Sequence, residues 1–84
     1  MNIVFTKCAW EDYLYWQNHD KKVLKRINEL IKNIKNSPAE GIGKPEPLKF
    51  SLSGYWSRRI DEEHRLVYKV ENDSLYLLQC RYHY

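Results

Sequence analysis

A carboxylate, several guanidiniums and an imidazole near the end of the chain could do chemistry together. Glu46 is held between Pro45 and Pro47, and Arg58, Arg59, Arg65, Arg81 and His83 lie among the aromatics of LSGYWSRRIDEEHRLVYKV and NDSLYLLQCRYHY. Cleavage of RNA by its own 2′-hydroxyl needs such a set: a base for the hydroxyl, cations for the phosphorane oxygens and an acid for the leaving 5′-oxygen. An imidazole can give up a proton near neutral pH and a carboxylate can accept one, so no metal or other cofactor is expected to be needed. Each residue also has a plainer reading. Glu46 could be an exposed loop acid, Arg65 could pair with a turn acid, and His83 could belong to a frayed chain end. By residue pattern alone, a module that binds nucleic acid or protein without cutting comes ahead of a ribonuclease.

The elements must bring these residues to one place. Asn2 to Phe5 reads as a short strand, and Thr6 as the N-cap of a helix running to about Asn18, with Trp10, Tyr13 and Leu14 as its core stripe. Asp20 caps a second helix in which Val23, Ile27, Leu30, Ile31 and Ile34 keep helical spacing until Pro38. Lys21, Lys22, Lys25, Arg26, Lys32 and Lys35 fall off that stripe, as a solvated face would. SPAEGIGKPEP is loop, and its end presents Glu46 on a proline-stiffened stalk.

Three strands follow, Tyr55 to Ile60, His64 to Val70 and Leu75 to Tyr82, with Asp61-Glu62-Glu63 as the first turn. Alternation sends Trp56, Ile60, Leu66, Tyr68 and Val70 under the helices, and leaves Tyr55, Ser57, Arg59, Arg65, Val67 and Lys69 on an open basic face. The last turn sets the register of the final strand. A two-residue Asn72-Asp73 turn would bury Leu75 and Leu77 but carry Arg81 and His83 inward with them. A three-residue Asn72-Asp73-Ser74 turn avoids desolvating those charges and is the expected one. It places Tyr76, Leu78, Cys80 and Tyr82 in the core, and Gln79, Arg81 and His83 beside Arg65.

Length and composition set the bounds. At 84 residues the chain is one domain, able to bury roughly 60 to 65% of its unfolded surface. A net charge of +3 favours an anionic partner without naming one. Cys8 and Cys80 show no metal-ligand or disulfide spacing, which points to a reducing cytoplasm. The start MNIVFTK is too short in apolar residues for a signal peptide or a membrane span, so a soluble protein, complete as written, is expected.

The stretches WEDYLYWQ, INELIK, GKPEPLK, SGYWSRRI, EEHRLVY and CRYHY, spread from Trp10 to Tyr84 with spacing kept, resemble the YoeB (Txe) branch of the RelE/ParE toxin superfamily. The resemblance implies an α+β fold in β-α-α-β-β-β order, a helical hairpin packed on a small twisted antiparallel sheet. It implies the toxin of a type II toxin–antitoxin system, a metal-independent endoribonuclease that cuts mRNA in the ribosomal A site and leaves a 2′,3′-cyclic phosphate.

On that resemblance Glu46 matches the general base, Arg65 the phosphate-stabilising arginine, His83 the general acid, and Tyr84 the final tyrosine of the site. Lys49 and Arg59 match residues along the RNA path, and Glu63 takes a supporting electrostatic role. The implied partners are a small acidic YefM/Axe-like antitoxin, the 70S ribosome with its mRNA, and a second copy of the chain. RelE relatives lack the Glu/His pair, and ParE relatives inhibit DNA gyrase by binding, which is the alternative function. The visible departures, Cys8 and Phe50-Ser51, are peripheral to the matched positions.

Overall fold

The computed structural model describes residues 1–83. Strand β1 (Asn2–Phe5) leads into helices α1 (Lys7–His19) and α2 (Lys21–Asn36). After a loop come β2 (Glu46–Pro47), a 3₁₀ turn (Phe50–Leu52), β3 (Trp56–Arg59), β4 (Arg65–Glu71) and β5 (Ser74–Gln79). The helices pack on one face of a five-stranded sheet ordered β1-β5-β4-β3-β2. Two features depart from the expected antiparallel sheet. The first strand lies parallel beside β5, making the sheet mixed, and the proline stalk is itself an edge strand, with Glu46 opposite Ser57 and Pro47 opposite Trp56. An edge is where prolines are tolerated, because no donor is needed on the outer side.

The expected helix caps are present. The Thr6 hydroxyl accepts from Ala9 N–H at 3.0 Å, and Asp20 accepts from Lys22 and Val23 N–H. The stripe of α2 is core, with Ile27, Leu30 and Ile34 fully buried. The stripe of α1 is the expected one only in part: Tyr13 packs against the core, but Trp10 is 47% exposed, while Ala9 and Trp16 are buried. Ala9 has so little side-chain bulk that the helix can settle closely on the sheet, which rotates Trp16 inward and Trp10 outward. Trp10 then stacks on Tyr13 at 5.9 Å and meets the edge of Phe5 at 5.4 Å.

The final hairpin corrects the expected register. Glu71 pairs with Ser74 across a two-residue turn, with Asn72 and Asp73 at φ 51° and 59°. That is the left-handed geometry whose twist matches paired strands. Leu75 and Leu77 are therefore in the core, and Tyr76 and Leu78 are not. Charge is kept out of the core by a β-bulge. Tyr68 pairs with Leu77 but Val67 pairs with Gln79, so Leu78 is an extra residue and the alternation switches there. The Thr6 hydroxyl donates to the Leu78 carbonyl at 2.8 Å. Beyond the bulge Gln79 lies on the open face with Val67, and Cys80 is buried in the main core, as expected for these two residues.

Arg58 is fully buried between sheet and α2. Its Nε donates to the Tyr68 hydroxyl at 3.0 Å, its Nη1 to Asn33 Oδ1 and the Ile42 carbonyl, and its Nη2 to the Ser37 and Glu40 carbonyls. All the donors of the guanidinium are thus used. Ser37 caps the C-terminus of α2, where the helix dipole offers partial negative charge to the cation. Arg58 is therefore a clamp on the loop before β2 and is not part of the basic face. The clamp needs Gly41, at φ +119°, because a Cβ there would lie 2.1 Å from Asn33 Oδ1.

Candidate active site

Register assembles the site. Directly opposed residues share a face, and Glu46, Ser57, Val67 and Gln79 form one row across β2, β3, β4 and β5. Arg59 and Arg65 face each other in the adjoining row on the same side. Leu48 and Val67 are buried yet stand outside the main core, so they and Ser57 form a floor on the face opposite the helices. At strand spacings of about 4.8 Å the row is about 14 Å wide. Glu46 stands at one end, and Gln79 at the other donates through Nε2 to the His83 carbonyl at 3.1 Å. Glu46 and the His83 backbone thus lie toward opposite ends of the sheet face that carries Arg59 and Arg65.

The Arg65 guanidinium turns back onto the preceding turn. Its Nη1 donates to the carbonyls of Asp61 at 2.8 Å, His64 at 3.1 Å and Glu62 at 3.3 Å. The turn carboxylates do not pair with it, and among the described residues only Nη1 is engaged. A guanidinium edge of this kind can grip an anion through two parallel N–H donors. The turn is closed by Asp61 Oδ1, which accepts from the Glu63 and His64 N–H groups.

Glu46 opens onto a cleft of about 410 Å³ that it shares with Leu48, Lys49, Phe50 and Leu52. Lys49 is exposed at its wall. Phe50 is 92% exposed, with φ at +57°. Arg59 is exposed, and its backbone N–H donates to the Gly43 carbonyl at 2.7 Å, tying the loop before Glu46 to β3. Glu63 is exposed, with Oε1 3.6 Å from His64 Nε2. Tyr84 lies outside the described residues.

Arg81 departs from its expected place beside Arg65. Its guanidinium lies 3.5 Å from the centre of the Tyr15 ring on α1 and 4.5 Å from that of Tyr82. Strand β5 ends at Gln79, so strand alternation does not carry on to residue 81. Arg81 packs the tail against the helix and does not join the basic row.

Several residues that position the tail were not singled out from sequence. The Trp16 indole donates to the Cys80 carbonyl at 2.8 Å, and Asp12 accepts the Cys80 N–H at 3.1 Å. Burial holds the Asp12 carboxyl above its ordinary range, against the opposing effect of that N–H and of Arg81. Burial also pushes the Cys80 thiol up to about 12, so it is a core group and not a nucleophile. The sequence signal for Trp16 is its place at i+7 from Ala9; nothing in the spacing marks Asp12.

The chain matches, over residues 5–84, the model for the YoeB-like toxin of bacterial type II toxin-antitoxin system. It is 61% identical over 84 residues to Toxin YoeB of Escherichia coli K12, covering all of both chains. The chain belongs to the YoeB toxin family. A solved YoeB/ParE toxin from Agrobacterium tumefaciens superposes with a TM-score of 0.98 at 50% identity, again over the whole of both chains. YoeB of Staphylococcus aureus, at 54 to 55% identity, has been solved as a dimer (TM-score 0.94) and in a YoeB-YefM complex (TM-score 0.93), each covering all of this chain and 98% of the other. The protein is therefore a toxin of a type II toxin–antitoxin system, with the two-helix, five-stranded fold of the YoeB family.

Proposed function

We propose that this toxin is a ribosome-dependent mRNA endonuclease that cleaves in the A site by attack of the 2′-hydroxyl on the adjacent phosphate, stopping translation. Glu46 takes the hydroxyl proton, Arg65 neutralises the phosphorane oxygens, and His83 protonates the departing 5′-oxygen, leaving a 2′,3′-cyclic phosphate. Tyr84 completes the acid end of the site. Lys49 and Arg59 hold the RNA backbone by charge, and Glu63 acts at one remove, through its neighbour His64. Arg81 helps to seat the tail. One observation carries the reading: a single sheet face holds Glu46 at one end, Arg59 and Arg65 in its middle and the His83 backbone at the other end, fastened by Gln79.

Exposed Ile3, Val4 and Trp10, the last resting on half-buried Phe5 and Tyr13, support a homodimer like the one solved for the Staphylococcus aureus relative. The basic site suits the acidic tail of a YefM-like antitoxin, in keeping with the solved complex.

Mapping mRNA 5′ ends after incubation with translating ribosomes tests the proposal. Wild type should cut within the A-site codon, and Glu46→Gln or His83→Gln should lower the rate by about 10²-fold or more. Equal cutting by the variants would overturn the assigned mechanism. Inhibition of gyrase with mRNA left intact would replace it with the binding alternative.

A further inference from the structure

Tyr82 is a bulky aromatic residue with φ at +64°, a left-handed conformation that persists only where its surroundings impose it. Both of its backbone polar groups are held by consecutive residues. The Tyr82 N–H donates to His64 Nδ1 at 2.7 Å, and the Tyr82 carbonyl accepts the Arg65 N–H at 3.0 Å. Residue 82 immediately precedes His83, and Arg65 carries a guanidinium of which only Nη1 is engaged among the described residues. The reacting acid is thus indexed, through one residue, to the strand that would hold the phosphate.

His64 is built to do this. Its side chain is 11% exposed, and the ring meets the Trp16 indole edge-on at 4.7 Å and 76°. Trp16 is itself fixed by its bond to the Cys80 carbonyl. The Tyr82 ring lies 5.8 Å away on another side, so the imidazole has little freedom to turn. To accept from an N–H, Nδ1 must be unprotonated, which leaves the proton of the neutral ring on Nε2. Glu63 Oε1, 3.6 Å from Nε2, is too far for a hydrogen bond but favours the proton there.

We infer that His64 is a positioning residue for the reaction, a latch whose Nδ1 fixes the left-handed turn at Tyr82 and so sets where His83 stands. This rests on the endonuclease reading for its catalytic consequence, but the latch has its own readout.

The test uses the full-length toxin with His64→Asn, His64→Gln and His64→Leu. Asparagine places an acceptor oxygen where Nδ1 stands, glutamine places one nearer Nε2, and leucine has none. Amide hydrogen exchange should show Tyr82 protected in wild type although it lies outside any strand. His64→Asn should keep that protection and cleave ribosome-bound mRNA within about threefold of wild type. His64→Gln and His64→Leu should speed Tyr82 exchange by about tenfold or more. Their kcat should fall by about ten- to a hundredfold with KM for programmed ribosomes unchanged, since a small misplacement of a reacting group acts on the chemical step. An unprotected Tyr82 in wild type overturns the latch, as does equal behaviour of the Asn, Gln and Leu variants. Absence of cleavage by wild type would overturn the endonuclease reading, while Tyr82 exchange would still decide the latch.

Discussion

Replacing Arg58 with methionine should unfold much of what the replacement of its neighbour Arg59 leaves intact. Arg58 is fully buried, and its donors are shared among Asn33, Ser37, Glu40, Ile42 and Tyr68. Among the described residues no carboxylate pairs with it, so its charge is held by carbonyls, an amide and the end of α2. Methionine fills similar length but leaves those acceptors without donors. The Tyr68 hydroxyl keeps its bond to the Pro38 carbonyl, and the exposed loop around Glu40 can turn to water. Removing one side of a buried charged network costs about 3 to 5 kcal/mol. In a domain of this size about 1 kcal/mol moves Tm by about 4 to 8 °C, so a fall of about 12 to 40 °C is expected. Arg58→Lys, which keeps the charge but loses the planar fork, should fall between the two. Arg59→Met, at an exposed position, should change stability by less than about 0.5 kcal/mol while weakening RNA cleavage. Urea unfolding followed by tryptophan fluorescence reads these values directly. A loss for Arg58→Met of under about 1 kcal/mol, or equal losses at the two arginines, would refute the clamp.

Asp12→Asn should be stabilising in a pH-dependent way. Burial raises the Asp12 carboxyl in the folded chain, so the folded state binds that proton more readily and the carboxylate costs stability as pH rises from the unfolded value through the raised folded one. The variant keeps an acceptor for Cys80 N–H and should exceed wild type in urea midpoint at about pH 7, with the difference closing by about pH 4. Asp73→Gly should raise stability by up to about 1 kcal/mol, because glycine adopts the positive φ of the hairpin turn without strain, and the exposed pair with the chain's amino terminus contributes little. A lower Tm for Asp73→Gly would contradict the two-residue turn.

Elements with one strong local signal were legible in the sequence. Asp20 followed by the Val23 to Ile34 periodicity defined α2, and Thr6 marked the start of α1. The alternation in β3 and β4 put Leu66 and Tyr68 in the core and Arg59 and Arg65 opposite them. Features decided by packing were less legible. Trp10 and Trp16 are chemically alike, and only the closeness of Ala9 to the sheet decides which is buried. Desolvation of Arg81 and His83 opposes burial of Leu75 and Leu77 only if strand alternation is unbroken. The bulge at Leu78 satisfies both demands, and no residue type in SLYLLQC announces it. Arg58 and Arg59 are distinguished by alternation alone, which places Arg58 on the core side but cannot reveal the loop carbonyls that receive it.

The two ends of the proposed site hang from the helical hairpin, although no helical residue lies in the site. At one end, Asn33 of α2 and its C-cap Ser37 grip Arg58, which holds the loop that turns at Gly43 into the Glu46 strand. At the other, Asp12 and Trp16 of α1 bind the backbone on both sides of Cys80, from which the His83 tail departs. The sheet fixes Arg65 through its own ladder, so the cation is indexed independently of the hairpin. Loosening α1 should therefore misplace the acid without disturbing the base, and loosening the end of α2 should do the reverse. Selection acting on catalysis would then constrain buried helix residues far from the RNA, for reasons separate from the stability they provide.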